Sequence, residues 1–420
     1  MVLAVYMHTM DFYISFNDEV NLTNSLLNED EGITLSKKQS FTGVAVFDES
    51  LKVLPLISGF LSYSLANHKI SPNTAETYAK NLIYFLLYLR TRTEFKGIYA
   101  DEPYLTVSKY LIEEYLVSLK TINNLSSATI RNRDATFQAF IHGYLYQNQE
   151  LRDAHIHNSP YENGLLSGSV KQKIIESCSI DELVTLMEET NSERERTILQ
   201  FVFDTGIRRS EIQLISRQDI LNTRSFNSQK LIARKGDIPI TPHYSALLIQ
   251  GAKGRHNNKK ERMSLISSST VDRVIDYHAS PLYKKYSRKY KESDQTPAFF
   301  NTDGSPFTAK NLSKLLERLS RRAIKKGKIN KSISPHKLRH GYSYDILQST
   351  DLGENYVDRL AVVQKSLGHS YLSTTEMYTR IPIELYKSMK DSSGEISTKA
   401  LRMLRLKEKT QLRISIRDKK

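Results

Sequence analysis

Apolar residues recur at helical spacing through the stretch that follows Pro72. Asn73 and Glu76 lie three residues apart just before this pattern and match the capping box that opens many helices. We therefore predict a helix from about residue 73, and similar patterns predict helices over about 106–120 and 127–147. The first of these helices carries an aromatic stripe that we expect to face the core, formed by Tyr78, Tyr84, Phe85 and Tyr88.

A polar stretch over 151–178, which contains Asn-Ser-Pro and Gly-Leu-Leu-Ser-Gly, predicts a linker. Ser179 and Glu182 form a second capping-box pattern and open the next domain. Strand-like runs over 247–249 and 262–266 predict a β-hairpin there. The predicted fold class is mainly α with a small antiparallel β-sheet. The predicted segments are an N-terminal extension (1–51), a helical domain (52–150), the linker (151–178), a second domain (179–385) and a C-terminal tail (386–420).

Lysine and arginine outnumber aspartate and glutamate by 60 to 46, so the net charge is +14 and the pI is near 9.4. This balance predicts attraction to polyanions and salt-dependent binding, but it does not separate DNA from RNA or a membrane surface. The acidic extension should repel DNA and the basic tail should attract it, although the tail also fits an ordinary solvated helix end. In the helix over 127–147, Arg131 and Arg133 are either phosphate contacts or solvated surface arginines.

No apolar stretch approaches the roughly eighteen residues of a membrane span, and Asp11 comes too early for a signal peptide. We therefore expect a cytoplasmic protein. Cys178 is the single cysteine, which excludes an intrachain disulfide and a cysteine-based zinc site and predicts a small buried or linker thiol. The sequence contains no phosphate-binding loop and no zinc-protease motif, so we expect no metal and no cofactor.

Two arginines, a lysine and a tyrosine together suit the chemistry of a phosphodiester. A planar guanidinium can hold two non-bridging phosphate oxygens at once, so Arg208 and Arg339 are the candidate clamp. Lys253 is the candidate general acid for a leaving alkoxide, because neighbouring cations lower the pKa of a lysine. Tyr378 follows this basic set and is the candidate nucleophile, since positive surroundings favour the ionised form of a phenol.

Three further residues have supporting roles in this candidate site. His336 and His369 can each donate a hydrogen bond to a phosphate oxygen or accept a proton, and the sequence leaves these roles open between them. Glu211 lies three residues after Arg208, and we place both on one face of a helix that follows a Thr-Gly turn. Glu211 is then expected to orient the clamp.

The same residues stand in the motifs of a known family. Residues 205–211 read TGIRRSE and resemble the family's T-G-L-R-x-S-E box, while 336–339 match its H-x-x-R box. Residues 367–369 match its L-G-H box, and Tyr378 follows nine residues later. Lys253 lies in GAKG, which departs from the family's G-K-G-x-K-x-R run by an extra alanine and a longer insert before Lys260, Glu261 and Arg262. On these motifs the chain resembles the tyrosine site-specific recombinases of the phage integrase family.

The resemblance implies a fold and a reaction. The helical domain would be the family's core DNA-binding domain and the second domain its mixed α/β catalytic domain. Tyr378 would attack a phosphate of double-stranded DNA, forming a 3′-phosphotyrosyl link and freeing a 5′-hydroxyl without metal or ATP. Four copies would meet as a homo-tetramer on two paired sites, accessory DNA-bending proteins are possible partners, and the mobile element and host stay open. Leu401, Leu404 and Leu406 of the tail would dock on the next protomer.

Alternatives to this assignment stay open at the level of sequence. The same chemistry serves a DNA-relaxing topoisomerase or a hairpin-forming telomere resolvase, and a chain with this fold but no catalysis would be a DNA-binding protein. Tyr342, Tyr344 and Tyr371 are rival nucleophiles, but their spacing matches none of the family's boxes. His340 is expected to be structural.

Overall fold

The structure, a computed structural model, divides the chain into two compact units, Met1–Gln172 and Lys173–Lys420. Most of the described chain is helical and the sheets are small and antiparallel, which confirms the predicted fold class. None of the helices in the described part combines the length and apolarity that crossing a membrane requires. The residues that the structure describes are 4–5, 13–21, 40–48, 53–147, 156, 158–169, 176–228, 243–251, 261–368 and 398–412.

The helices of unit 1 pack around an aromatic core. Phe85 is fully buried, and its ring centroid lies 4.8 Å from that of Tyr115 and 4.7 Å from that of Phe137. Tyr78 and Tyr88 pack against the same core, so most of the aromatic stripe faces inward as predicted. The helices are α1 (Pro55–Ala66), α2 (Pro72–Arg90), α3 (Lys109–Thr121) and α4 (Ser127–Phe137), which a π-helix (Gln138–Tyr146) continues.

Helix α2 begins one residue earlier than predicted, and the capping box at Asn73 and Glu76 is wrong. Ser71 is the N-cap, because its side chain accepts a hydrogen bond from the backbone N–H of Thr74 at 3.3 Å. Proline is favoured at the first helical position, where its missing N–H costs nothing. Pro72 therefore fixes the start of the helix, and the cap falls on the residue before it.

Part of the acidic N-terminal extension forms a sheet within unit 1. The strands β1 (Ala4–Val5), β2 (Tyr13–Asn21) and β3 (Ser40–Phe47) are antiparallel and lie in that order. Val44 and Val46 of β3 are fully buried, and the backbone N–H of Val46 donates to Ser58 of α1 at 3.0 Å. Only the charge of this segment was predicted from the sequence, whereas the structure shows that Val44 and Val46 belong to the core of unit 1.

Part of the predicted linker also packs into unit 1. Tyr161 is buried and donates to the carboxylate of the buried Asp134 at 2.9 Å, and the backbone N–H of Ser167 donates to the same carboxylate at 2.6 Å. The boundary between the units lies a few residues later, at 172–173. In unit 2 the capping box of Ser179 and Glu182 is present, which confirms the predicted helix start, and Cys178 is buried as expected.

Unit 2 is organised around α6, whose apolar residues are buried on almost every side. Strands β4 and β5 pair antiparallel, with Ile249 opposite Arg262, which confirms the two predicted strands. The elements of the described part are α5 (Ile180–Glu188), α6 (Glu193–Thr205), α7 (Arg217–Ser228), β4 (Tyr244–Ile249), β5 (Arg262–Ser267), α8 (Ser268–Ala279), α9 (Pro281–Ser287), α10 (Ala309–Lys325), α11 (Pro335–Leu347), α12 (Tyr356–Leu367) and α13 (Lys399–Thr410).

Helix α13 packs on its own unit and not as the sequence led us to expect. Met403 and Leu406 are buried in the core of unit 2, whereas Leu404 is 41% exposed and Leu401 is half-buried. The inner face of the helix therefore runs through 399, 403, 406 and 410, at helical spacing, and only one of the three predicted leucines lies on it. Leu406 therefore docks within its own chain, whereas docking of Leu401 and Leu404 on a neighbouring protomer stays a prediction.

Buried polar groups hold both ends of α13. At its start, the ammonium group of Lys399 pairs with the carboxylate of Asp204, with both side chains fully buried, and the backbone N–H of Lys399 donates to Ser349 at 2.7 Å. At its end, the guanidinium of Arg196 donates to the carbonyl of Thr410 at 2.6 Å. Cations at a helix C-terminus also favour its dipole. The helix is thus an integral part of unit 2.

We expect Lys399→Met to lower the free energy of unfolding by about 3–5 kcal/mol, because it leaves the buried carboxylate of Asp204 without its partner. Chemical denaturation of the whole chain measures this. Lys409→Met is the matched control, since Lys409 is an exposed lysine on the same helix and its loss should change stability by less than about 0.5 kcal/mol. Equal stabilities for the two variants would show that the buried pair contributes nothing.

Candidate active site

The turn that carries Arg208 is fixed by a glycine. Helix α6 ends at Thr205, and Gly206 follows in the left-handed conformation with φ at 56°. A Cβ atom on Gly206 would lie 2.4 Å from the ring of Tyr342, so only glycine fits. The chain then turns, with Ile207 buried in the core, and Arg208 precedes a short 3-10 helix (Ile212–Leu214). Our placement of Arg208 and Glu211 on a helix was therefore wrong, because the left-handed glycine stops α6 and reverses the chain.

Glu211 nevertheless contacts Arg208, as predicted, through the turn. The carboxylate of Glu211 is fully buried and accepts from the Arg208 guanidinium at 2.9 Å and from the Arg208 backbone N–H at 2.7 Å. The side chain of Arg208 stays 35% exposed. The buried carboxylate of Glu211 thus holds one N–H of this guanidinium, while the rest of the Arg208 side chain still reaches the surface.

His336 and Arg339 lie on the first turns of α11. Ser334 caps this helix and Pro335 begins it, so Arg339 follows His336 by one turn. Arg339 is 4% exposed, and its guanidinium donates to the carbonyl of Gly206 and, at 2.8 Å, to the carbonyl of Leu367. Arg339 therefore ties the turn before Arg208 to the end of α12.

His336 shares one electrostatic environment with both arginines. Burial lowers the pKa of His336 below its ordinary value, and the positive charges of Arg339 and then Arg208 lower it further. The imidazole is therefore neutral at pH 7 and can accept a proton at one ring nitrogen. Its ring also packs edge-on against that of His340, with centroids 4.3 Å apart, and His340 is buried, as a structural histidine should be.

Arg262, at the start of β5, is a member of this site that the sequence analysis left without a role. Its guanidinium donates to both carboxylate oxygens of Glu211, at 2.6 and 2.7 Å, and its side chain is 5% exposed. Its Nε donates to the carbonyl of Ser366 at 3.0 Å. The signal that could have found it was its place as the final arginine of the lysine motif.

The other predicted site residues lie beside described elements but outside the described residues. Lys253 falls between 251 and 261, the segment that joins β4 to β5. His369 directly follows Gly368, which ends α12 in the left-handed conformation. Tyr378 and Tyr371 fall between 368 and 398. The roles of Lys253, His369 and Tyr378 therefore stay predictions.

The two rival tyrosines on α11 are core residues. Tyr342 is fully buried and donates to the carbonyl of Leu265 at 3.0 Å, and burial raises the pKa of its phenol. Tyr344 is 2% exposed. A nucleophile must reach a phosphate and ionise readily, so neither phenol suits that role.

In unit 1 the two candidate phosphate contacts have partners within the chain. Arg131 donates to the carbonyls of Ser167 and Gly168 at 3.1 and 3.2 Å. Arg133 donates to the hydroxyl of Tyr115 at 3.0 Å, and its guanidinium lies 4.6 Å from the ring centroid of Tyr84. Contact of either arginine with DNA stays a prediction.

The family model described as the phage integrase family matches residues 173–384, just over half of the 420 residues. The chain belongs to this family. Membership makes the recombinase an enzyme that cleaves and rejoins DNA strands, and it confirms the resemblance that the four boxes and the tyrosine indicated. The match includes the positions of every candidate catalytic residue.

Sequence and structural relatives agree with this membership. The recombinase is 26% identical over 333 residues to tyrosine recombinase XerD of Staphylococcus haemolyticus (strain JCSC1435), covering 78% of this chain and 94% of that relative. Its fold is similar to that of XerH site-specific recombinase bound to palindromic difH substrate, with a TM-score of 0.51, 19% identity, and 77% and 80% of the two chains covered. It is also similar to Tn1549 transposon integrase in complex with transposon right end DNA, with a TM-score of 0.51, 14% identity, and 81% and 99% covered.

Proposed function

We propose that the recombinase cuts each DNA strand by covalent catalysis at Tyr378. The observation that supports this most directly is the hydrogen bond from Arg339 of α11 to the carbonyl of Gly206, which brings α11 and its His336 beside the turn that carries Arg208. Two guanidinium groups beside a neutral imidazole suit a pentavalent phosphate, which carries negative charge on its non-bridging oxygens. Arg208 supplies the exposed arm of this clamp and Arg339 the buried one.

The chemical step balances within the protein and the DNA. The phenolic oxygen of Tyr378 bonds to phosphorus as the bond from phosphorus to the 5′-oxygen breaks, which leaves a 3′-phosphotyrosyl link. The phenolic proton passes to a base, for which His336 is available, and Lys253 protonates the leaving 5′-oxygen. A 5′-hydroxyl from the partner strand then attacks the link and frees Tyr378. Because one phosphoester replaces another at each stage, the step requires neither ATP nor a metal ion.

Strand exchange between two DNA sites determines how many copies of the protein must act together. Each of four strands must be cut once, so we propose a homo-tetramer on two paired duplex sites, acting in the cytoplasm on DNA with accessory DNA-bending proteins as optional partners. The net charge of +14 supports a duplex DNA partner, since neutralising phosphates releases counterions. Helix α13 belongs to its own unit in this scheme, and integration or excision of a mobile element is the proposed outcome.

The test traps the covalent intermediate on DNA. Half-sites that bind the protein are first selected from a randomised duplex pool. Two copies of the selected half-site are then placed at graded spacings, and the DNA is nicked next to the expected cleavage point. Cleavage then frees a short fragment that diffuses away, so the strand cannot be rejoined and the covalent intermediate accumulates. We expect a protein–DNA adduct in EDTA without nucleotide, and peptide mass spectrometry should place the nucleotide on Tyr378. A selected duplex that binds without any adduct at any spacing would leave a DNA-binding protein, and adducts without products from two-site DNA would favour a topoisomerase.

A further inference from the structure

The carboxylate of Glu211 accepts hydrogen bonds from two arginines, and the two arginines bind it with different sets of N–H groups. Arg262 approaches with a fork, giving one N–H to each carboxylate oxygen, at 2.6 and 2.7 Å. Arg208 approaches with one guanidinium N–H and with its backbone N–H, at 2.9 and 2.7 Å. Each oxygen of the buried carboxylate thus accepts from both arginines. The forked contact fixes the plane of the carboxylate, and that plane determines where Arg208 is held.

We infer that Arg262 is a positioning residue for the reaction, which holds the phosphate-binding guanidinium of Arg208 in place through Glu211. All three nitrogens of the Arg262 guanidinium donate within the chain, to both oxygens of Glu211 and to the carbonyl of Ser366, whereas Arg208 gives Glu211 one guanidinium N–H and stays 35% exposed. The inference rests on the proposed function, because it assigns a role in holding the clamp that the reaction uses. Arg208 then contacts the phosphate, and Arg262 holds Arg208 in place through Glu211.

Arg262 also keeps Glu211 charged. Burial alone would raise the pKa of this carboxylate, yet the hydrogen bonds and charge of Arg262, and then those of Arg208, hold it below its ordinary value. A protonated Glu211 would lose acceptor capacity toward Arg208. Removal of Arg262 would therefore weaken the hold on Arg208 twice, by freeing the carboxylate plane and by favouring its neutral form.

The same side chain reaches the end of α12. Its Nε donates to the carbonyl of Ser366, and a Cβ on Gly368 would lie 2.6 Å from its Cδ. Gly368 is in the left-handed conformation, so both its backbone and its contact with Arg262 require glycine there. Arg262 thus joins the Arg208 turn to the residue that precedes His369. The L-G-H box is supported by the same residue as the first arginine box.

The structure offers a matched control for a merely structural role. Arg273 of α8 is also a buried arginine of unit 2, with its side chain fully buried, and its guanidinium pairs with Glu193 at 2.8 Å. It also donates to Gln200 and to Thr410 at 2.9 and 2.8 Å. It contacts none of the candidate catalytic residues through these bonds. Loss of either arginine should reduce stability, but only loss of Arg262 should change how the enzyme handles phosphate charge.

The experiment compares strand cleavage of the selected nicked duplex with that of the same duplex carrying a methylphosphonate at the scissile position. A methyl group in place of a non-bridging oxygen removes the negative charge that the clamp stabilises. We expect Arg262→Met to slow cleavage of the diester by about a hundredfold, on the scale of losing one transition-state donor, but to slow cleavage of the methylphosphonate by less than about tenfold. Arg208→Ala should show the same selective loss, and Arg273→Met should lose the same factor on both substrates.

Thermal unfolding of each full-length variant accompanies these rates. If Arg262→Met does not fold, Arg262→Lys becomes the test, since it keeps the charge but can contact only one oxygen of Glu211, and it should show a smaller loss with the same selectivity. An equal loss on both substrates, or none, would overturn the role of Arg262 while leaving the wild-type adduct intact. A wild-type chain that forms no adduct would instead remove the proposed function and this inference with it.

Discussion

Tyr378→Phe is expected to bind DNA as tightly as the wild type and to form no covalent adduct. Phenylalanine removes only the phenolic oxygen, so the surfaces that contact DNA are unchanged while the nucleophile is lost. Native gels with the selected duplex measure binding, and denaturing gels of the nicked duplex measure the adduct. This is the largest effect that we expect from a single atom of the chain.

The matched control for this change is Tyr371→Phe. Tyr371 lies seven residues before Tyr378 in the same segment and directly after the L-G-H box and one serine, so it shares the local sequence context. Its loss should leave adduct formation at the wild-type level. An adduct that persists in Tyr378→Phe and disappears in Tyr371→Phe would move the nucleophile to Tyr371.

Several predictions that depended on local sequence were confirmed, although the capping box at Asn73 and Glu76 was not. The Ser179 capping box needs only two side chains three residues apart. The β-hairpin strands were likewise visible as short apolar runs. In each case the contacts that form the element join residues close together in sequence, so the element could be predicted from the sequence.

Predictions failed where the deciding contact was distant in sequence. Arg208 was placed on a helix because the boxed residues have helical spacing, but the ring of Tyr342 packs on Gly206 and the chain turns there. Leu401, Leu404 and Leu406 were expected to form the docking face of the C-terminal tail, but Lys399 lies on the inner face of α13 because its ammonium group pairs with Asp204, 195 positions away in the chain. A buried lysine is unexpected from composition alone, since an unpaired one would be expelled to water.

The role of Arg262 shows the same limit within the site. Its partner Glu211 lies 51 positions away, and neither residue's immediate neighbours indicate the pairing. The motif placed an arginine at the end of the lysine run, but only the fold shows that this arginine points inward to a carboxylate and not outward to DNA. Residues that touch substrate could be chosen by chemistry, whereas residues that hold them required the structure.

Replacing either clamp arginine by alanine should slow cleavage by about a thousandfold, the scale of losing a phosphate-stabilising arginine, with a smaller loss of binding. The two variants should differ in stability. Arg208→Ala removes a side chain that is 35% exposed. The free energy of unfolding should change little, because Glu211 keeps Arg262 as a partner. Arg339→Ala leaves the carbonyls of Gly206 and Leu367 without their donor, and each such buried group costs about 1–3 kcal/mol.

Single-turnover cleavage of the nicked duplex at saturating protein separates the chemical step from binding. Arg209→Ala is the matched control, because Arg209 adjoins Arg208 in sequence but is exposed, and its guanidinium donates to Ser313 of α10 at 3.4 Å. Its loss should leave the rate of the bound complex within about threefold of the wild type, because Arg209 does not meet the reacting atoms in the proposed mechanism. A fall of less than about tenfold for both Arg208→Ala and Arg339→Ala would place the phosphate clamp elsewhere, since a transition-state contact of this kind carries at least about 2.7 kcal/mol.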